Sequence, residues 1–157
     1  MLDTVENNYQ TISVKRFAPN LGAEISGVDL SKDITDKQFE EILRAFHDHQ
    51  VLFFKDQKEI SPEMQVIFGK RFGKLHAHPA APTMKGHPEV FEIHATKDSK
   101  IANGEFWHSD VSCDETPPLG TMLQIHIFDY SCNLSFQQHL TNVLYLLNLQ
   151  HSLEMCF

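Results

Sequence analysis

The first 128 residues predict an α+β domain. Two stretches carry apolar residues at helical spacing behind a capping residue, short apolar runs rich in strand formers lie around them, and glycine and proline mark the turns between. In chain order, residues 11–17 form a strand with Ile12 and Val14 on one face. Residues 22–30 place turn glycines around a short apolar stretch of Ala23, Ile25 and Val28. Thr35 N-caps a helix and Gln38 closes a capping box, so that Phe39, Ile42, Leu43 and Phe46 form the buried stripe. Residues 50–54, QVLFF, read as a buried strand. Ser61 followed by Pro62 is a favoured helix start; Met64, Ile67, Phe68 and Phe72 then face the core, and Gly73 ends the run. Residues 79–88 read as loop, 89–94 as a strand and 119–128 as another strand behind the Pro117-Pro118 turn.

Composition narrows the class. The chain has 157 residues, 41% hydrophobic and 22% charged, which is one domain's worth of ordinary globular material. A disordered tail, a collagen-like repeat and a disulfide mini-protein are all excluded. A net charge of −8 argues against nucleic acid as a partner. Cys113, Cys132 and Cys156 are odd in number and form no C-x-x-C pair, which fits reduced thiols in the cytoplasm. The first residues carry no signal-peptide pattern, and no apolar run approaches the ~20 residues that span a bilayer, so no membrane is expected.

The chain changes character after residue 128. Lysine and arginine stop at Lys100, proline at Pro118 and glycine at Gly120. Residues 129–157 hold seven leucines and only two charged side chains, Asp129 and Glu154. Leu140, Val143, Leu144 and Leu147 recur at helical spacing, so this tail is either a helix docked on the core or sequence foreign to the domain.

Ten histidines are many for this length. His47 and His49 end the first helix two residues apart, on different faces, where solvation and the helix dipole account for them. His76 and His78 share a face only if their segment is extended. The informative stretch is Trp107-His108-Ser109-Asp110. On a strand, residues two apart project the same way, so His108 and Asp110 can grip one ion. An imidazole and a carboxylate suit Fe(II), and with a second imidazole they form the facial triad of non-haem oxygenases. The pair by itself is common by chance, fits a solvated polar pair equally, and does not choose iron over zinc. A zinc or copper module built from His76, His78, His108 and Asp110 is the competing metal reading.

Residues 103–112, NGEFWHSDVS, followed by Thr116-Pro117-Pro118-Leu119-Gly120, resemble the taurine dioxygenase (TauD/TfdA) family of Fe(II)/2-oxoglutarate-dependent dioxygenases. Upstream, residues 21–30 (LGAEISGVDL), 49–57 (HQVLFFKDQ) and 71–79 (RFGKLHAHP) are similar to the same family. The resemblance spans about residues 10–128. It implies an incomplete double-stranded β-helix, or jelly-roll, with flanking helices. Residues 1–128 would be the N-terminal part of that domain and 129–157 an unmatched tail. It implies His108 and Asp110 as iron ligands, His78 as a contact to the substrate's acidic group and Asn103 as a substrate contact. Fe(II), the co-substrate 2-oxoglutarate, O2 and a small sulfonate- or carboxylate-bearing acid follow as partners. Ala80-Ala81 stands where taurine-type members carry a tyrosine, so taurine is not singled out.

Where the family continues with a Gly-Gly-Asp-Thr turn, this chain reads Asp129-Tyr130-Ser131-Cys132. The family's distal iron-binding histidine and its 2-oxoglutarate-clamping arginine come later still. No arginine follows Lys100, His126 lies on the matched strand, and His139 and His151 belong to the tail. Two protein ligands hold a divalent ion less well than three, and without the arginine the bidentate carboxylate clamp is lost. The expectation is a truncated dioxygenase with little or no turnover. The alternative is a non-catalytic fragment that self-associates or binds a full-length homologue, because open strand edges leave room for a homo-oligomer.

Overall fold

A computed structural model describes residues 5–6, 8–19, 21–77, 83–93, 115, 117–124 and 144–148. The strands are β1 (Val5–Glu6), β2 (Ser13–Arg16), β3 (Ala23–Ser26), β4 (Val51–Phe54), β5 (Thr83–Met84), β6 (His87–Phe91), β7 (Gly120–Gln124) and β8 (Leu144–Asn148). The helices are α1 (Asp36–His49) and α2 (Pro62–Lys70). Six strands make one sheet in the order β1-β2-β3-β4-β8-β7, and β5 and β6 form a separate hairpin. β3 and β4 are parallel and the other pairs antiparallel.

The parallel pair exists because α1 carries the chain from β3 back to the start of β4. The capping box at Thr35 and Gln38 forms as the sequence predicts. Period-2 alternation sends Val14, Ala23, Ile25, Leu52 and Phe54 to one face of the sheet, and each is fully buried. Phe39, Ile42, Ala45 and Phe46 of α1 belong to the same core. Burial of each large side chain in it stabilises the fold by roughly 1.5–3 kcal/mol. Gln50, at φ +65°, turns the chain from helix to strand with no intervening loop, and its N–H donates to the Phe46 carbonyl at 3.0 Å.

Glu41 is a buried carboxylate on α1 that periodicity did not single out. The backbone N–H groups of Gln10 and Thr11 donate to it at 3.0 and 2.9 Å, and the Thr11 hydroxyl at 2.8 Å. Burial pushes its pKa up, but these donors outweigh that and hold it down at about 2. The carboxylate therefore clasps the approach to β2 onto the helix. His49 corrects the solvation reading for the helix end: it is buried, whereas His47 is exposed. Its carbonyl accepts the Gly22 N–H at 2.9 Å, so the end of α1 also holds the turn before β3.

Three other expectations are corrected. Ile67 is half exposed, because the nine-residue α2 turns only one narrow side to the core, where Met64 and Phe68 pack. The 79–88 stretch is not loop throughout. Thr83–Met84 and His87–Phe91 pair around a two-residue Lys85-Gly86 turn, with Gly86 at φ +88°. Pro88 is tolerated because a two-stranded hairpin leaves it an unpaired side. Finally, Leu144 and Leu147, expected on a helical stripe, lie in β8, where backbone pairing with β4 and β7 overrides the 3.6-residue spacing. Within the described residues no helix is long and apolar enough to cross a membrane.

Removing the Glu41 clasp is expected to destabilise the chain. Glu41→Ala leaves partly buried N–H donors without their acceptor and should cost about 2 kcal/mol in urea denaturation. The folded-state pKa lies below the ordinary 4.5, so this stabilisation is complete above pH 4.5 and is lost as pH falls towards 2. Glu41→Gln should flatten that acid limb; an unchanged limb would argue against the clasp.

Candidate functional site

His78, Asn103, His108 and Asp110 all lie outside the described residues. His76 is described and half-buried in the loop after α2. Among the described residues, no group of three or more His, Cys, Asp or Glu could hold a metal ion. What the structure does define is the frame on either side of residues 94–114, the stretch that contains the candidate iron ligands.

The chain enters that stretch from β6 and leaves it into β7. Both strands are tied to α2. The Glu63 carboxylate lies 3.0 Å from His87 Nε2 at the start of β6. Two residues further along the helix, Gln65 Nε2 donates to Gln124 Oε1 at the end of β7, at 3.1 Å. Leu119 and Met122 also pack against the core, so β7 is seated by apolar contact as well. Glu63 sits in the first turn of α2, behind the Ser61 cap, which accepts the Met64 N–H. The Ser61 hydroxyl, the helix's own N–H and His87 hold the Glu63 carboxyl below its ordinary range, against a small opposing effect of burial.

α2 is in turn fixed to α1. Arg71 donates to the Ile34 carbonyl at 2.9 Å and to Asp36 Oδ1 at 2.6 Å, and its guanidinium stacks 4.3 Å over the Phe39 ring. Phe72 meets Phe39, Phe46 and Phe68 edge-on at 4.9, 5.8 and 5.3 Å between ring centres. The helix is thus a rigid mount on the core, and the candidate stretch begins and ends on strands attached to it. Sequence reasoning missed Glu63, Gln65 and Arg71. Their signal, polar side chains on a short helix, looks the same as a solvated face until the partner strands are placed.

Comparison with known proteins adds what the frame cannot. Residues 13–128 match the family model described as taurine catabolism dioxygenase TauD, TfdA family. An alkylsulfatase from Acinetobacter baylyi is 31% identical over 79% of this chain and 38% of its own length. An alpha-ketoglutarate-dependent sulfate ester dioxygenase from Pseudomonas putida is 33% identical over 72% of this chain and 36% of its own. Among solved structures, a taurine dioxygenase from Burkholderia xenovorans superposes with a TM-score of 0.63 at 30% identity, covering 77% of this chain and 42% of that one. The chain therefore spans about two fifths of the length of the relatives it matches.

The mount can be tested by hydrogen exchange. Glu63→Ala should speed exchange of the 89–91 amides several-fold and leave the 11–14 amides unchanged. Because Glu63 is held below its ordinary pKa, the same loosening should appear in the parent as pH falls below the ordinary carboxylate range. Equal exchange in parent and variant would remove the pair from the account.

Proposed function

Because the chain belongs to the TauD/TfdA family of dioxygenases, we propose that it carries part of an Fe(II)/2-oxoglutarate-dependent active site acting on a small acid that bears a sulfate ester or sulfonate group. The observation that carries this reading is that the His108-Ser109-Asp110 element falls inside the 13–128 family match. The substrate class follows the names of the relatives, which act on sulfate esters and taurine. In the overall reaction, one atom of O2 enters a substrate C–H bond as hydroxyl. The other enters succinate as 2-oxoglutarate loses CO2. Residues 1–128 form the N-terminal part of a jelly-roll domain, and 129–157 lie beyond the family match.

The donor set fits iron. A neutral imidazole and a carboxylate two residues apart are the borderline and hard ligands that Fe(II) takes in facial sites. Iron, when bound there, supplies the activation of O2. His108 and Asp110 would hold the ion and leave its other positions to substrates. His78 offers an N–H to the substrate's acidic group, and Asn103 offers amide donors beside it. Each of these roles orients or binds, so geometry held to fractions of an ångström matters. The mount on α2 serves that need. These 157 residues contain no arginine beyond Arg71, and so none follows the iron-binding pair to clamp 2-oxoglutarate.

Anaerobic titration of the 157-residue polypeptide with Fe(II) and 2-oxoglutarate tests the proposal. The expected outcome is weak metal binding and no visible charge-transfer band, and no succinate when O2 and a sulfate ester or sulfonate are then admitted; stoichiometric succinate after O2 is admitted would overturn the expected lack of turnover. His108→Ala and Asp110→Ala should each lower Fe(II) affinity by more than the roughly 10–100-fold that loss of a ligand's supporting partner costs. Unchanged affinity in both variants would overturn the ligand assignment.

A further inference from the structure

β8 stands apart from the strands on either side of it. It comes from residues 144–148, beyond the 13–128 family match, yet its two neighbours β4 and β7 both lie inside that match. It is an internal strand, paired on both sides. Leu144, Tyr145, Leu146 and Leu147 are in register with Phe54, Phe53, Leu52 and Val51 on one side. On the other side the same four residues are in register with Gln124, Leu123, Met122 and Thr121, and Asn148 stands opposite Gly120. Among the described residues β7 pairs with no other strand. Removing β8 would leave β4 and β7 with open edges facing each other.

We infer that Leu144–Asn148 is a surrogate core strand: sequence from outside the family's span closes the sheet between β4 and β7 and ties β7 to the helix-backed core. Its composition suits the place. LYLLN carries no charge and no proline, and its partners at four of five positions include Val51, Leu52, Phe53, Phe54, Met122 and Leu123. α1 lies against both β4 and β8, so the strand joins the layer the helix already covers. Gly120 stands ten residues after Asp110, so an anchored β7 also fixes the far end of the candidate iron stretch. That last consequence rests on the iron reading; the strand's placement does not.

Cysteine pairing tests the placement without metal. In an antiparallel sheet, a residue that exchanges hydrogen bonds with one neighbour faces the other across a non-hydrogen-bonded pair, where Cα atoms are only ~4.5 Å apart. One of the pairs Phe53/Tyr145 and Leu123/Tyr145 is therefore of the close kind. In a background with Cys113, Cys132 and Cys156 changed to serine, Phe53→Cys with Tyr145→Cys, or Leu123→Cys with Tyr145→Cys, should form an intrachain disulfide on mild oxidation. The offset pair Phe53→Cys with Leu146→Cys should not. A disulfide found only between chains would show a second copy supplying the strand, and would overturn the inference, as would no disulfide in either aligned pair.

Anchoring is read separately by hydrogen exchange on the metal-free full chain. Leu146→Pro removes a donor from the middle of β8 and should speed exchange at residues 121–123 about tenfold or more, with the 42–46 amides of α1 unchanged. Unchanged exchange in β7, or equal acceleration in α1, would overturn the local anchoring role. Loss of iron binding with both of these results intact would instead count against the proposed function alone.

Discussion

The burial of one face of a mixed sheet beneath a single helix is the constraint on which the described structure depends. α1 can only cover that face because it links β3 to a parallel β4 and so crosses the sheet. Val14, Ile25, Leu52 and Phe54 then meet Ile42 and Phe46 in a core from which water is excluded. Burial of this apolar surface supplies the driving force. Polar groups drawn in with it must be satisfied, and Glu41 meets that requirement for the backbone entering β2.

From this core the structure extends outward by a second set of contacts. Phe72, packed edge-on among three rings, and Arg71, stacked on Phe39 and bonded to Asp36, hold α2 against α1. α2 carries β6 and β7 through single polar contacts on opposite sides of the candidate iron stretch. Stability is therefore graded. The α1-backed strands rest on buried apolar area, whereas the hairpin rests partly on an exposed Glu63–His87 pair of small worth.

The other face of the sheet is less covered. Phe17 packs edge-on against Phe53 at 5.0 Å yet remains half exposed, and Leu123 on β7 is exposed as well. Lys55 and Glu24 pair across β3 and β4 at 2.6 Å on this same side, which mixes charge with apolar surface. The relatives that this chain matches are more than twice as long as the matched part.

Local signals were enough where the physics is local. Thr35 with Gln38, and Ser61 with Pro62, announce helix starts because a cap satisfies N–H groups a few residues away. The strand core at Val14 follows from alternation and that at Leu52 from a short apolar run rich in strand formers, and the His-x-Asp element with its flanks was sufficient to place the chain in its family. Only the tertiary structure decided the fates of Glu41, His49, Ile67 and Leu144–Asn148. A carboxylate on a helix looks solvated until a distant backbone donates to it. A short helix shows which of its apolar residues is left out only when its neighbour is present. Leucines at spacings of three and four residues suit a helix in isolation, but between two open strand edges the unsatisfied backbone of both neighbours makes a strand the lower-energy choice.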